Sequence, residues 1–409
     1  MKTTTLIALA VLSLQTAWAD NKTLSLQQCM DLAVANNYQM QAADKATARA
    51  KALQGTAWDV EKTSLSLSQD PTSGGSPDNA LTLSQTIDFP TLYAARRSQL
   101  KAETAAEQSK KRVVENQLRG EVAAAYWQLV YQAERIRILQ QQDTVLARYA
   151  ELASKRYAAG ETRKLEQLSA ERMQRENALE LAAAKSEKTI AQKQLSLLLN
   201  TGDQVTPADI RLAAIEDGGS GYNYLQTAEG QYAASLITAA DKSVTVEKNG
   251  CAPSFSLGLR TQMVITGWDP YHENRAKYSG GNFMGFEVGV GIPLFWGATR
   301  AKVKAAKIDR ERVEMEMKQQ QQQRENEYSA FQDRYNAAYN RMMYYETEGG
   351  KQAEELGRLS ALEYENGEIS YIEYVNALQE SIDMKQKRAA AINDYNQAVI
   401  ALKRMRGDL

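Results

Sequence analysis

Residues that could carry out catalysis or hold a metal are scarce in this sequence of 409 residues. It contains one histidine, His272, and two cysteines, Cys29 and Cys251, and their spacing matches no metal-binding motif. No glycine-rich phosphate loop occurs, and no nucleophile stands near a suitable base. Methionines such as Met342 and Met343 could contact a soft metal, although methionines at helical spacing are more often packing residues. We therefore expect that the protein is not an enzyme and has no cofactor and no metal site.

The first residues of the chain have the pattern of a secretory signal peptide. Lys2 provides a positive charge, residues 6–14 form a short apolar core, and residues 17–19 form an A-x-A cleavage site. The apolar core is too short for a membrane-spanning helix. The pattern predicts a signal peptide over residues 1–19 and an exported protein. In an oxidising compartment Cys29 and Cys251 would either form a disulfide or remain two unpaired small apolar residues.

Two long stretches have the composition of very long helices. Residues 91–157 contain no proline and are rich in strong helix formers, with Pro90 at the start and Gly160 just past the end. Residues 297–365 repeat this composition, and their apolar residues have the spacing of a coiled-coil seam, which glycines at 349–350 interrupt. Helices of this length indicate a coiled-coil rod or a strut rather than a single globular core.

The long helices belong to two tandem repeats. The stretch Arg156-Tyr-Ala-Ala-Gly160 aligns with Glu363-Tyr-Glu-Asn-Gly367, and a glutamate follows each glycine. Each repeat has the pattern of a helix, a β-hairpin, a long helix, a turn and a return helix. The predicted segments are repeat 1 at 20–206, with a first helix at 25–54, a hairpin at 62–88 and a return helix at 165–199, a linker at 207–222, and repeat 2 at 223–409, with a hairpin at 253–292 and a return helix at 369–405.

The two hairpins alternate apolar residues with small or polar ones. Strands of about ten residues with one apolar face match the hydrocarbon thickness of a bilayer, although a water-soluble sheet with one wet face has the same alternation. Four strands per chain cannot close a membrane barrel, and lipid does not tolerate open sheet edges. Three chains would supply about twelve strands, which is enough for closure. The residues expected to face lipid are Leu65, Leu67, Leu81, Leu83, Phe255, Leu257, Val288 and Val290.

The expected fold is therefore mainly α-helical with β-structure. Long coiled-coil hairpins and four transmembrane β-strands per chain would be arranged in two internal repeats. Three chains would form a β-barrel of about 12 strands together with an α-barrel.

Four motifs occur in a fixed order along the chain after the signal peptide. They are Leu24-Ser-Leu-Gln-Gln-Cys-Met-Asp-Leu-Ala33 with Asn36-Asn37, Ser84-Gln-Thr-Ile-Asp-Phe-Pro90, Gly291-Ile-Pro-Leu-Phe295, and the two Tyr-x-x-Gly-Glu turns. In these motifs the chain resembles the TolC-type outer membrane efflux protein family, over nearly its whole mature length. The resemblance implies a homotrimer, with a barrel in the outer membrane of a Gram-negative bacterium and a helical tunnel through the periplasm.

The same resemblance implies partners and a cargo. Members of this family dock onto a periplasmic adaptor, or membrane fusion protein, and an inner-membrane pump. They are passive conduits for the substrates that the pump exports. Residues 285–296 resemble members that serve heavy-metal cation pumps of the resistance-nodulation-division type. The alternatives are a periplasmic adaptor, which needs one helical hairpin and several soluble β-domains, and a structural coiled-coil stalk. The net charge of −1 argues against a nucleic-acid partner.

In this family the tunnel closes near the turns between the helices. Tyr364, three residues before Gly367, matches a gate tyrosine, and Glu373, six residues after that glycine, matches the first aperture acid. Asn376 stands at the place of a second acid and Ile369 at that of a gate arginine, so the resemblance implies a different or weaker closing network. Three Glu373 carboxylates would form a ring that holds cations, whereas the alternative is a solvated helix face.

The turns themselves are the adaptor-docking tips that the resemblance implies. Tyr157, Gly160 and Glu161 would lie at the first tip, and Gly367 and Glu368 at the second. A tip that docks an adaptor would expose both carboxylates, but an ordinary turn would expose them too. Tyr157 could equally be a packing residue at the end of a helix.

Overall fold

The computed structural model describes residues 22–71, 77–219, 221–264 and 283–409. The predicted signal peptide at 1–19 and His272 lie outside these ranges. The described chain is mostly helical with a small amount of sheet, so the expectation of a mainly α-helical fold with β-structure is confirmed. None of its helices carries an apolar run of membrane-spanning length.

Eight α-helices account for most of the described residues. The longest helix, Pro90–Ala158, extends one residue beyond each end of the predicted range 91–157. Their bounds are α1 Leu26–Asn36, α2 Tyr38–Leu53, α3 Pro90–Ala158, α4 Lys164–Leu199, α5 Ala228–Asn249, α6 Gly297–Tyr344, α7 Gly350–Glu365 and α8 Tyr371–Arg406.

Among the described residues, six strands form two separate sheets, one of two strands and one of four. Short 3-10 helices lie at Gln54–Trp58 and Tyr224–Gln226. The strand bounds are β1 Lys22–Leu24, β2 Ser64–Pro71, β3 Pro77–Asp88, β4 Val205–Pro207, β5 Ser254–Val264 and β6 Phe283–Gly291.

The described chain divides into two compact units, a sheet unit and a helical unit. The sheet unit comprises Ala42–Val114 and Asn223–Asn326. The helical unit comprises the described residues of Met1–Gln41, Glu115–Tyr222 and Glu327–Leu409.

The sheet unit contains the four-stranded antiparallel sheet, in the order β2-β3-β5-β6. The two predicted hairpins are thus joined into one sheet by pairing of β3 with β5. Because successive residues of a strand point to opposite faces, the register defines two kinds of row across the sheet. One row runs Leu65, Leu83, Leu259 and Phe286, and all four side chains are exposed. The adjacent row on the other face runs Ser66, Thr82, Arg260 and Gly285.

Aromatic and charged contacts fix the junction between β3 and α3. Trp58 stacks on Tyr93 with ring centroids 5.1 Å apart, and the Tyr93 hydroxyl accepts a hydrogen bond of 3.0 Å from the Asp88 backbone amide. The Asp88 carboxylate pairs with Arg96 at 3.2 Å. Tyr93 is buried, so this aromatic residue orients the strand relative to the helix.

The predicted first helix at 25–54 is wrong in one respect, because the structure breaks it at Asn37. The Asn37 backbone is extended, and its side-chain amide donates to the Leu198 carbonyl at 2.9 Å. Its side-chain oxygen accepts from the Gln39 amide at 2.8 Å. Asparagine side chains compete in this way with helical backbone hydrogen bonds, and α2 therefore begins anew at Tyr38.

The second long helix also differs from the continuous α-helix predicted at 297–365. A turn of π-helix at Tyr345–Gly349 separates α6 from α7. A Cβ atom at Gly350 would lie 2.7 Å from the Tyr345 carbonyl oxygen, so this close approach requires a glycine. The helix α3 of the first repeat has no such interruption.

The residues predicted as a linker at 207–222 are bound to the helical unit. The strand β4 ends at Pro207, the first residue of this segment, and pairs in parallel with β1. Further along, the Asn396 side chain accepts from the Ile215 amide at 2.9 Å and donates to the Ala213 carbonyl at 2.8 Å.

Both cysteines are free thiols, and burial raises the pKa of Cys29 to about 11.

Candidate functional site

The two turns between the helices have the same backbone geometry. Gly160 and Gly367 both have φ of +77°, a left-handed conformation that glycine adopts without strain. The Glu161 amide donates to the Arg156 carbonyl at 2.9 Å, and the Glu368 amide donates to the Glu363 carbonyl at 2.8 Å. These are the hydrogen bonds of a Schellman motif, which closes the carboxyl end of a helix.

The turns present apolar and charged side chains side by side. Leu165 and Ile372 each lie five residues after the turn glycine and are 72% and 65% exposed. Tyr157 is 41% exposed, and the Lys164 ammonium lies 4.9 Å from the centre of its ring. The Glu161 carboxylate is exposed and lies 3.8 Å from the Arg156 guanidinium. The tip residues therefore form a solvent-accessible surface of mixed character.

Tyr364 connects helices from both repeats. Its hydroxyl accepts a hydrogen bond of 2.6 Å from Arg156 on α3 and donates one of 3.2 Å to Glu166 on α4. Its ring stacks on Tyr374 of α8, with centroids 4.7 Å apart. Burial and, secondarily, the Glu166 carboxylate raise the pKa of Tyr364, so the hydroxyl stays protonated and keeps donating. This arrangement ties the second repeat to the first beside the turns.

A core of aromatic and aliphatic residues supports Tyr364. Tyr149 of α3 stacks on Tyr371 at 5.5 Å and meets Tyr374 edge-on at 5.7 Å. The buried Tyr149 hydroxyl has no hydrogen-bond partner among the described residues. Ile369, at the place of a gate arginine, packs against this core. The other buried members are Leu146, Ala150, Ala153, Ala170, Met173, Leu378 and Ile382.

Glu373 belongs to a capping box at the start of α8. The Ser370 hydroxyl accepts from the Glu373 amide at 3.4 Å, and the Glu373 carboxylate accepts from the Ser370 amide at 2.8 Å and its hydroxyl at 2.7 Å. These bonds from Ser370 lower the pKa of Glu373, which is exposed. The carboxylate therefore satisfies an otherwise unpaired helix-end donor. Its role in an aperture ring stays a prediction.

The equivalent position in the first repeat behaves differently. Glu166 lies six residues after Gly160, as Glu373 lies six after Gly367. Arg163 stands at the start of α4 and its side chain makes no capping bond there. The Glu166 carboxylate instead accepts from Thr162 and from Tyr364. Glu373 in the second repeat thus caps its own helix. Glu166, at the equivalent position of the first repeat, instead forms a hydrogen bond with the second repeat.

Local sequence patterns indicate some residues of this site but not others. Arg156 and Glu166 acquire their contact with Tyr364 only through packing of distant segments. The Ser370–Glu373 pair, in contrast, has the Ser-x-x-Glu spacing of a capping box, a signal available in the sequence. Asn376, one turn after Glu373, is exposed on α8.

Comparison with known proteins identifies the fold. No protein-family model and no curated protein sequence matches the chain. Solved structures do match: CusC, described in connection with transmembrane channel formation, is 16% identical with a TM-score of 0.74, covering 94% of this chain and 93% of that one.

Two further outer membrane proteins show the same similarity. VceC from Vibrio cholerae is 17% identical with a TM-score of 0.74, covering 93% of this chain and 96% of that chain. The MtrE outer membrane channel of Neisseria gonorrhoeae, in an open state, is 16% identical with a TM-score of 0.71, covering 93% and 88%. The chain therefore has the fold of the TolC-type outer membrane channels.

Proposed function

We propose that this protein is the outer membrane channel of a tripartite efflux system, a passive conduit across the outer membrane and periplasm of a Gram-negative bacterium. The observation that carries the proposal is the two-faced sheet of the sheet unit. One face exposes the row from Leu65 to Phe286, and the other carries serine, threonine, glycine and the charged residues Arg260 and Glu287. A membrane barrel wall requires one face for lipid and one for water.

The exposure of the apolar face separates this proposal from a water-soluble sheet. Leu67 is 73% exposed and Phe286 is 85% exposed. Large exposed apolar surfaces mark contact with a membrane or another protein. This surface also argues against a periplasmic adaptor or a coiled-coil stalk, because neither needs a lipid-facing sheet.

The edges of the sheet support assembly of several chains. Among the described strands, β2 and β6 each have a neighbour on one side only. Unpaired backbone groups are costly in lipid, so each edge needs a partner strand. Pairing of β6 in one chain with β2 in the next would let three chains close a barrel of about twelve strands. We therefore propose a homotrimer.

The turns are the proposed docking tips for the partners. Leu165 and Ile372 offer exposed apolar side chains beside Tyr157, Glu161 and Glu368. A periplasmic adaptor would bind these residues and connect the channel to an inner-membrane pump of the resistance-nodulation-division type. The pump supplies the energy, because the channel is a passive conduit.

The proposed cargo is heavy-metal cations. Support comes from the sequence resemblance at residues 285–296, the stretch that contains most of β6. The described residues contain no group of three or more His, Cys, Asp and Glu side chains placed to hold a metal ion. A wide conduit needs no tight metal site, so the cargo would pass without a fixed ligand set. Loss of resistance to a metal, but not to organic drugs, in a deletion strain tests this assignment.

Matched substitutions on neighbouring residues of β3 test the membrane wall. Leu83 lies on the apolar face and Ser84 on the polar face. We expect Leu83→Arg to cost about 2 to 4 kcal/mol if the site is near the bilayer centre, and to lower the amount recovered in the outer membrane. Ser84→Arg should leave recovery close to that of the unchanged protein. Equal effects of the two variants, or recovery of the unchanged protein in the soluble periplasm, would overturn the proposal.

A further inference from the structure

Two charged residues stand near the middle of the polar face of the four-stranded sheet. Arg260 lies on β5 opposite Gly285 of β6, and Glu287 lies on β6 opposite Gly258 of β5. The two side chains are therefore diagonal neighbours on adjacent strands, two residue positions apart along the sheet. At about 3.4 Å per residue, their rows are separated by about 7 Å.

Small residues surround this pair and leave room for it. A Cβ atom at Gly258 would lie 3.4 Å from the Cβ of Glu287 and 3.8 Å from its Oε2, so the glutamate side chain extends over the glycine. At Gly285, the position opposite Arg260, a Cβ atom would meet nothing within 4 Å. The remaining polar-face residues with described side chains on the four strands, apart from Asp88, are Ser64, Ser66, Ser68, Ala80, Thr82, Ser84, Thr86, Ser254, Ser256, Gly289 and Gly291.

Asp88 is the third charged residue on this face, but its position is different. It is paired with Ser254 at the end of β3 that leads into α3, and its carboxylate is bound to Arg96 at 3.2 Å. Arg260 and Glu287 are thus the charged side chains that project from the middle of the wall, among the strand residues whose side chains the structure describes.

We infer that Arg260 and Glu287 form the charge filter of the barrel and determine its preference between anions and cations. The inference rests on the proposed function, because it needs the polar face to line a water-filled pore. In a trimer, the three copies of each residue would form two stacked rings of opposite charge. Rings of charged side chains set the ion selectivity of a pore.

The position of these two residues favours a role in conduction over a role in stability. A charged side chain at mid-bilayer depth faces water or a partner rather than lipid, which places this face toward the lumen. Charged side chains in contact with bulk water add little to stability, since water screens their interactions. The field of the pair, in contrast, extends across the pore at low salt, where the Debye length reaches about 30 Å at 0.01 M.

Reversal potentials in planar bilayers under a low-salt gradient test the inference. Arg260→Gln leaves the ring of glutamates, so the reversal potential should shift toward cation selectivity. Glu287→Gln leaves the ring of arginines and should shift it toward anion selectivity. The two substitutions should shift the reversal potential in opposite directions, so either variant that assembles is informative. The reversal potential of the double variant should lie between those of the single variants.

Ser84 provides both a control and a rescue, because it lies in the same row as Glu287. Ser84→Gln changes the size of a wall residue without its charge and should leave the reversal potential unchanged. Ser84→Asp combined with Glu287→Gln should restore the original selectivity by returning the charge at the same height. If the variants conduct and their reversal potential does not change with any of these substitutions, the inference is wrong, whereas the proposed function is unaffected. A chain that inserts in bilayers but forms no pore would instead contradict the proposed function.

Discussion

The phenol of Tyr364 on α7 donates a hydrogen bond of 3.2 Å to the carboxylate of Glu166 on α4. The same hydroxyl accepts from Arg156 on α3, so one side chain joins three helices. These helices come from both halves of the chain, which makes this contact the clearest connection between the duplicated hairpins beside their turns. Any movement of α7 away from α4 must break it.

Tyr364→Phe tests whether this connection holds the aperture closed. The substitution removes both hydrogen bonds and keeps the ring that stacks on Tyr374. The loss should destabilise the proposed closed arrangement by about 1 to 3 kcal/mol and raise the open fraction of single channels in planar bilayers. Tyr157→Phe is the control, because that tyrosine lies at the turn outside this network. Identical gating of both variants and the unchanged channel would exclude Tyr364 from the gate.

Two substitutions of Glu373 separate its charge from its capping bond. Glutamine can still accept from Ser370, whereas alanine cannot. Glu373→Gln should therefore reduce block of the channel by cations and lower the melting temperature less than Glu373→Ala does. Glu373→Ala should reduce both. If cation block persists in both variants, Glu373 has a capping role and no place in an acidic ring.

The lowered pKa of Glu373 gives the capping bond a defined pH dependence. A carboxyl group whose pKa is depressed on folding contributes stability above its ordinary value, 4.5, and loses it as the pH falls through the lowered value. The melting temperature of the unchanged protein should thus exceed that of Glu373→Ala at pH 6, and the difference should narrow in acid, where the protonated carboxyl accepts from Ser370 more weakly. A difference that is constant from pH 6 to strongly acid conditions would contradict this origin.

Gly160→Ala tests the left-handed turn at the first tip. A Cβ atom there would meet nothing within 4 Å, so backbone strain alone accounts for the cost. We expect a destabilisation of about 1 to 2 kcal/mol in urea unfolding. Gly202→Ala is the matched control, since its surroundings are equally open and its φ is not positive. Equal free energies of unfolding for the two variants would show that the left-handed geometry is unimportant for stability.

Local periodicity predicted much of the secondary structure because each pattern has a short-range cause. The alternation from Ser64 to Ser68 lies in β2, and the proline-free stretch after Pro90 is helical to Ala158. The break at Asn37 was not predicted, since the Leu198 carbonyl that binds its side chain is supplied by a distant segment. Whether the repeats assemble as a trimer depends on contacts between chains, and it stays a prediction.

The candidate site divides in the same way. The matching turns at Gly160 and Gly367 follow from a local motif, whereas only the family resemblance points to Tyr364 and Glu373. The Arg156 contact with Tyr364 joins residues 208 positions apart, and no local pattern encodes such a pair. The capping partner Ser370 was within reach of sequence reasoning, because its spacing to Glu373 is a known helix-start signal.

The mass of the detergent-purified protein, measured by light scattering coupled to size-exclusion chromatography, tests the central claim most directly. In lipid, the open edges at β2 and β6 of the described sheet would need strands from neighbouring chains, so a particle containing three chains is expected after subtraction of the bound detergent. A monodisperse single chain in mild detergent would contradict the account, because four strands alone cannot enclose a pore.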